Sequence, residues 1–539
     1  MIVPGSANPL LMASLAGYQV PYSLRFRASN SAYVSRTSGA SPTDQKKVTY
    51  SAWMKAAPSL SSSNQVALVS FGSGNSGLVA WNISAYGGRL FIRSDGSNDI
   101  QYTGVFRDPT AWGHLVVAID TTQATASDRV KVYWNGTAMT YLSGTYPSQN
   151  SNSTLNMAST GCRLMSDQAN GTFIDGYLAE THMIDGQALT PSSFGQTDSG
   201  TGVWVPKAYA GTYGTNGFYL KFADASAATA AAIGKDSSGN GNNWTPSGIS
   251  VTSGVTFDQM LDTPTSNSST LNPLASHTSV GTFAAANMEW SYSAGSYYPI
   301  IVGSAAINSK TYWEVTVTSV GGAAYIGIIL TSQQVKGTEG TNNTLSSAGC
   351  WSYDNTGKKN NNNAPGSGAA YGASYTTGDV IGVTYDPSTT TLTFYKNGSS
   401  QGTAYTTVTS GDAYAFVSGI SGANFALNFG QRAFSYTPPT GFKALNTTNI
   451  ASAAVTTSGS FTGNAAADGP FIWANGSPAT LTINGNAVTF GTHADKTAGG
   501  FKLRTSSASY NTSGTNNWTA TAGKRFVQSK KPNNAQVNP

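Results

Sequence analysis

Charged side chains are scarce in this sequence. Asp, Glu, Lys and Arg make up 10% of its 539 residues, against roughly 25% in an ordinary soluble protein. Histidine stops at four and cysteine at two. Each shortage excludes something. A disordered chain would be rich in charge and poor in aromatics, yet aromatics reach 11% here. Two cysteines cannot form the framework of a small disulfide scaffold. Cys162 and Cys350 also fall in blocks that read as separate domains, which predicts two buried thiols in a reducing compartment. His114, His182, His277 and His493 stand apart and show no zinc-ligand spacing. A net charge of +5 is slight for this length, so nucleic-acid binding, which needs a clustered basic patch, is not expected. Lys524, Arg525, Lys530 and Lys531 form one local basic group, read as a solvated tail. The opening MIVPGSANPLLMASLAGYQV has neither a basic n-region nor a long apolar run. It reads as neither signal peptide nor membrane span, so a cytoplasmic product without membrane insertion is expected.

What the chain does have is glycine, 60 residues of it, and short alternating runs broken by turn residues. Val48–Met54, Val66–Phe71, Leu78–Ile83, Leu90–Arg93 and Trp112–Asp120 read as strands, and Tyr22–Tyr33 alternates as well. Three hairpins share one grammar: RVKVYWNGTAMTYLSG at 129–144, TLTFYKNGSSQGTAYTT at 391–407 and TLTINGNAVTF at 480–490. Asn-Gly accepts the positive φ angles of a tight two-residue turn. The fold class that follows is all-β and multidomain.

Two blocks resemble known families. FRDPTAWGHLVVAIDTT, RVKVYWNG and FIDGYLAETHMIDGQALTPSSFG, in that order, resemble a laminin-G-like or concanavalin-A-like jelly roll over residues 21–200. Trp112, His114, Asn135, Gly136, Asp175, Glu180 and Leu189 sit at matching places. Residues 201–272 read as a bridging segment. TYWEVTV, CWSYDNTG, GDVIGVTYD and LTFYKNG then resemble the SPRY domain over residues 273–446. Trp313, Glu314, Tyr353, Asp354, Gly378, Asp379, Ile381, Gly382, Asp386, Phe394, Asn397 and Gly398 match that pattern. The resemblance implies a β-sandwich. A small β domain with a C-terminal tail is expected over residues 447–539.

Catalytic candidates are few. Glycosidases need two convergent carboxylates. The nearest cluster is Asp175, Glu180 and Asp185, and spacings of five put neighbours on opposite faces of a strand. No catalytic residue, metal or cofactor is assigned, and the chain is expected not to be an enzyme. Asp236, Asn240 and Asn242 imitate a calcium loop but lack its closing acid, so a polar turn is favoured. Sugar sites usually present an aromatic face with amides. Among Trp81, Trp134, Trp244, Trp351 and Trp518, the two in loop contexts, Trp134 and Trp244, are expected to be exposed, while Trp351 and Tyr353 are expected in a core. The ligand-binding candidates are Trp134, Asn135, Asn361, Asn362, Asn363 and Tyr371.

MIVPGSANPLLM, VFRDPTAWGHLVVAIDTTQATASDRVKVYWNG, GKDSSGNGNNW, the SPRY-like block and PPTGFKALNT together resemble large virion proteins of tailed bacteriophages. That resemblance implies a tail-associated fibre or adhesin, built in the host cytoplasm, that binds host-surface polysaccharide. It implies a homo-oligomer, a trimer by analogy, held to other virion proteins. Residues 1–20 would be the anchor, through Ile2, Leu10 and Leu11. The alternatives are a structural head or capsid-decorating fibre and, less favoured, a polysaccharide depolymerase.

Overall fold

The computed structural model describes residues 17–56, 65–72, 74–82, 89–105, 108–168, 171–199, 201–276, 281–293, 298–330, 345, 349–361, 365–408 and 412–449, and the backbone of seven strands between 458 and 529. Strands, turns and three short 3-10 turns account for the regular structure of these residues. No described helix is long and apolar enough to cross a membrane. One compact unit takes residues 1–198 and 203–450, and a second takes 199–202 and 451–539.

The first half of the larger unit is a sandwich of two eight-stranded sheets. One sheet runs Thr137–Ala138, Val130–Trp134, Gly113–Asp120, Lys47–Ala56, Gly176–Asp185, Ser23–Phe26, Gln259–Met260, with Phe218–Leu220 also on Gly176–Asp185. The other runs Tyr141–Ser143, Asp99–Val105, Arg89–Arg93, Gly77–Asn82, Gln65–Phe71, Gly161–Leu164, Tyr33–Thr37, Thr245–Ser247. Every pair is antiparallel, so side chains alternate between faces. Leu115, Val117 and Ile119 turn into the core with Val48, Tyr50, Ala52 and Met54. The run Tyr22–Tyr33 is not one strand. It is Ser23–Phe26 followed by a 3-10 turn at Ala28–Asn30, because Ser31 takes a left-handed φ of 53° and reverses the chain.

Residues 201–272 do more than bridge. They add Phe218–Leu220 and Gln259–Met260 to one sheet and Thr245–Ser247 to the other. Thr245–Ser247 lies at a sheet edge, where Pro246 has no N–H to leave unpaired. Trp244, expected to be exposed in a polar loop, is fully buried and packs edge-on to Phe218 at 4.8 Å. Its neighbours in sequence are turn residues, but strand pairing to Tyr33–Ser35 folds the indole under the sheet.

The second sandwich stacks a seven-stranded sheet on a six-stranded one. The first runs Thr282–Ala284, Glu289–Ser291, Asn424–Asn428, Thr311–Ser319, Val380–Asp386, Thr391–Lys396, Ser399–Tyr405. The second runs Ile301–Ile307, Ala413–Ile420, Ala323–Leu330, Cys350–Asp354, Lys358–Asn361, Ala369–Ala370. Trp313, Val315, Val317, Ile326, Ile328, Trp351, Tyr353 and Phe394 fill its core. Tyr325, Ile329, Tyr414 and Phe416, on the opposite parity, form a further cluster with Leu345 and Ala275. Cys162 and Cys350 are both buried and free, one in each sandwich, and burial pushes the Cys162 thiol up to about 12.

The sandwiches meet through residues 255–272 and a buried polar seam. Asp258 accepts Arg25 Nε at 3.0 Å and Arg27 Nε at 2.9 Å. Asp262 takes Lys55 Nζ at 2.8 Å and Trp112 Nε1 at 2.7 Å. Lys55 also donates to Asn267 Oδ1 and the Ser268 carbonyl. Asn267 N–H donates in turn to Thr447 Oγ1, and Ser268 bridges to Asn446. Lys55 and Asp262 thus join the two sandwiches, while Asp258 braces the first; a buried pair broken on one side costs ~3–5 kcal/mol. The second unit pairs Ser458–Gly463, Gly514–Ala520, Leu481–Ile483 and Asn486–Ala487 in one sheet, and Gly500–Arg504, Phe471–Asn475 and Arg525–Ser529 in another.

Candidate functional site

The outer face of the first sandwich's Lys47–Ala56 sheet holds its densest group of polar chemistry. The parity that sends Leu115 inward sends His114 outward, yet His114 is fully buried. It stacks on Trp53 at 4.9 Å and lies beneath Trp204. Ser51 Oγ is 2.8 Å from His114 Nε2, and Trp204 Nε1 donates to His114 Nδ1 at 3.0 Å. A serine beside a histidine invites a nucleophile reading. The third partner decides against it. An indole N–H can only donate, so Nδ1 is the acceptor and the neutral ring carries its proton on Nε2. Nε2–H therefore donates to Ser51 and has no lone pair with which to take the serine proton. Burial, and after it His182, lowers the His114 pKa to about 3.

Glu180 sits nearby on a bulge. The register of Gly176–Asp185 against Lys47–Ala56 shifts between Ala179 and His182, and Glu180 has φ 44°. A left-handed glutamate costs ~1–3 kcal/mol. The bulge also flips the strand's parity. Leu178 and Met183, five apart, both face the core. The odd-spacing argument against Asp175, Glu180 and Asp185 therefore fails, but the three carboxylates still do not share partners. Glu180 accepts the Tyr18 and Tyr219 hydroxyls at 2.8 and 2.7 Å. Burial raises its pKa, but His182 and the two tyrosines outweigh that and lower it. Asp185 accepts N–H groups of Thr43 and Asn216 and the Asn156 amide. Asp175 accepts the Ala28 N–H, and burial pushes it up to about 6. Asp236 accepts Tyr219 N, Ser238 N, Ser238 Oγ and Asn242 N, the geometry of a closed polar turn. No group of three or more potential metal ligands occurs among the described residues.

The two Asn-Gly turns of the larger unit are structural. Asn135 has φ 48°; its N–H donates to the His114 carbonyl at 2.9 Å, and its Oδ1 accepts the His114 N–H at 2.7 Å. Trp134 is half-buried, its ring covering Gly113 so closely that a Cβ there would lie 1.9 Å from it. Trp134, expected to be exposed, is thus partly covered, and Asn135 is held in the turn. Seven residues after Trp134 the chain presents a group without a signature motif in the sequence. Tyr141 and Leu142 are 41% and 42% exposed on the sheet-edge strand Tyr141–Ser143. Tyr141 stacks on Tyr146 with centroids 5.1 Å apart, and its hydroxyl is held by the Gly144 carbonyl at 2.7 Å. Thr140, Ser143 and Thr145 are exposed around the pair, and the run TYLSGTY carries no charge. The fixed ring pair presents an apolar face with a hydroxyl at its edge amid further hydroxyls. The uncharged run was its sequence signal; exposure was not readable from it.

Residues 28–193 match the family model described as the concanavalin A-like lectin/glucanases superfamily, and residues 310–432 match that of the SPRY domain. The chain carries a laminin-G-like domain followed by a SPRY domain. Among solved structures it is similar to the SPRY domain of human HERC1, at 17% identity and a TM-score of 0.24, over 29% of this chain and 96% of that one. A human SPRY domain matches at 20% identity and 0.22, over 26% and 91%. Stonustoxin matches at 17% and 0.26, over 30% of this chain and 27% of that one. No curated protein matches the chain.

Within the SPRY domain, Trp351 and Tyr353 are core residues, as their strand predicts. Tyr371, a ligand-binding candidate from the sequence, is partly buried and braces the domain. Its hydroxyl donates to the Gly402 carbonyl, and its ring packs against Tyr353 and Phe394. Asn361 ends the strand Lys358–Asn361 opposite Trp351, half-exposed. Asn362 and Asn363 lie outside the described residues, as do Ile2, Leu10 and Leu11. Tyr18 and Val20, at the end of the proposed arm, are held by the larger unit: the Tyr18 hydroxyl donates to Glu180, and Val20 N–H to Thr265 Oγ1 at 3.0 Å.

Proposed function

We propose that this chain is a non-catalytic adhesin of a tailed-phage virion, associated with the tail, whose laminin-G-like domain binds host-surface glycan. The observation that carries the glycan reading is the exposed Tyr141–Tyr146 stack in an uncharged, hydroxyl-rich setting. The non-catalytic reading is supported by the fixed His114 tautomer and by carboxylates each held by separate donors. The phage setting is supported by the likeness of the sequence to virion proteins. Assembly as a homotrimer and attachment to other virion proteins through Ile2, Leu10 and Leu11 belong to the same reading.

The test is adsorption of purified chain to host cells or their extracted polysaccharide. Tyr141→Ala should weaken binding about tenfold or more, ~1.4 kcal/mol, while stability stays within ~0.5 kcal/mol, as for other exposed substitutions. Unchanged adsorption would move the site off this face. The triple change Asn361, Asn362 and Asn363 to Ala then tests the SPRY domain by the same assay.

A further inference from the structure

The seam between the two sandwiches gathers side-chain donors that have no partner among the described residues. Arg25 Nη1, Arg432 Nη1, the Tyr177 hydroxyl and Asn287 Nδ2 are all buried and unpaired. Their residues are 0%, 6%, 1% and 5% exposed. A buried donor without an acceptor costs ~1–3 kcal/mol, and more when it is charged. Four in one place therefore call for a common acceptor.

They share a neighbourhood. Arg25 and Tyr177 face each other across adjacent antiparallel strands. Tyr177 packs in one apolar cluster with Ala286, the residue before Asn287. Gln431, the residue before Arg432, donates to the sulfur of Met288, the residue after Asn287, and its own carbonyl accepts the Leu261 N–H. Ala285, Ala286 and Asn287 run consecutively at φ 51°, 57° and 64°. Such conformations cost non-glycine residues ~1–2 kcal/mol each and persist where the surroundings over-determine them. Burial, and next the charge of Arg25, lowers the Arg432 pKa to about 10.

The charges around this point are assigned. Asp258 holds Arg25 and Arg27, and Asp262 holds Lys55. Glu314 accepts the Tyr312 hydroxyl and the N–H groups of Ser435 and Tyr436. Asp175 and Glu289 act on the cluster through space, and neither forms an ion pair with Arg432. Arg432 donates to the Leu427 carbonyl and makes no ion pair among the described residues. The side-chain groups left unpaired here are N–H donors and hydroxyls; no side-chain carbonyl or carboxylate oxygen is among them. Three of the four, Arg25 Nη1, Arg432 Nη1 and Asn287 Nδ2, can only donate, which favours an acceptor-only ligand over water. The enclosure favours a small one.

We propose that a small monovalent anion of halide size binds between the laminin-G-like and SPRY domains, held by Arg25, Tyr177 and Arg432, and clamps the two together. Bromide is the probe. The full chain is crystallised with bromide as the sole halide, and anomalous scattering is measured at the bromine edge. A peak in contact with the Arg25 and Arg432 guanidinium groups is expected; no anomalous peak at that point overturns the proposal. In parallel, Tm is followed as bromide replaces gluconate at fixed ionic strength. It should rise by several degrees in the wild type, rise less in Tyr177→Phe and stay flat in Arg432→Met. Tyr177→Phe keeps the test open if Arg432→Met does not fold. A bromide dependence that both variants keep in full places the stabilising ion elsewhere and also overturns the clamp.

Discussion

The laminin-G-like and SPRY domains solve the same local problem in the same way and then diverge. In each, the asparagine of an Asn-Gly turn adopts a left-handed φ, 48° at Asn135 and 47° at Asn397. In each, its N–H and Oδ1 form a two-way pair with the neighbouring strand, at His114 in one and Val380 in the other. In each, an aromatic ring from the segment leaving the sandwich lies over the turn glycine. A Cβ on Gly136 would come within 2.6 Å of Trp204, and one on Gly398 within 2.5 Å of Tyr436. The divergence is in what anchors that segment. Trp204 donates to a buried neutral base, His114, whereas the Tyr436 N–H donates to a buried carboxylate, Glu314. A short motif thus fixes a turn and a covering ring, while the charge type beneath is set independently in each domain.

The largest test of this comparison asks whether the domains also melt alike. Phe394→Ala in the SPRY core and Trp244→Ala in the laminin-G-like core each remove a fully buried ring and should each cost ~3–5 kcal/mol. Calorimetry should show one shared transition shifting in both variants, because the seam of Lys55, Asp262, Asn267 and Ser268 couples the domains. Two separate transitions would mean that the seam transmits little.

Acid separates the domains next. His114 is held neutral, with its pKa lowered to about 3 from an ordinary 6.5. The unfolded chain binds that proton first, so the contribution of His114 is complete above pH 6.5. It is lost as pH falls from there toward 3, reaching ~2 kcal/mol by pH 5. Urea titrations at pH 7 and 5 should show this loss, and His114→Gln should remove it. An unaltered pH dependence in that variant would assign the acid sensitivity to another group.

The covering rings come third. Gly136→Ala and Gly398→Ala, at φ 79° and 78°, should each cost ~1–2 kcal/mol from backbone conformation alone, plus the displacement of the ring. Adding Trp204→Ala should relieve only the second part, which a double-mutant cycle measures as coupling. The smallest effect is expected from Asn135→Gly, which keeps the left-handed φ and loses one side-chain hydrogen bond, ~1 kcal/mol. Asn397→Gly also loses the bond from its Nδ2 to Asp379 Oδ1, so chemical denaturation should show it costing ~1 kcal/mol more; equal values would mean that the Asp379 contact adds nothing.

Several features were legible in the sequence because they depend on neighbours along the chain. Alternation in VTYSAWM and WGHLVVAID gives strands, Asn-Gly gives turns, and the order of motifs names two β-sandwich families. Spacing alone could not reveal the bulge at Glu180, since one left-handed residue reverses the parity of everything after it. Nor could it show that Trp244 is buried while Tyr141 is exposed: both lie in polar stretches, and which is covered depends on strands paired from far along the chain. The His114 tautomer is the clearest case. Its serine, its indole and its own position come from three separate segments, at 51, 114 and 204. The sequence by itself determined the strands, the turns and the two domain types, all set by local periodicity and backbone preference. The tertiary structure alone decided which polar groups meet, which rings are covered and which donors at the seam lack an acceptor, because burial and hydrogen bonding are properties of segments brought together across hundreds of residues.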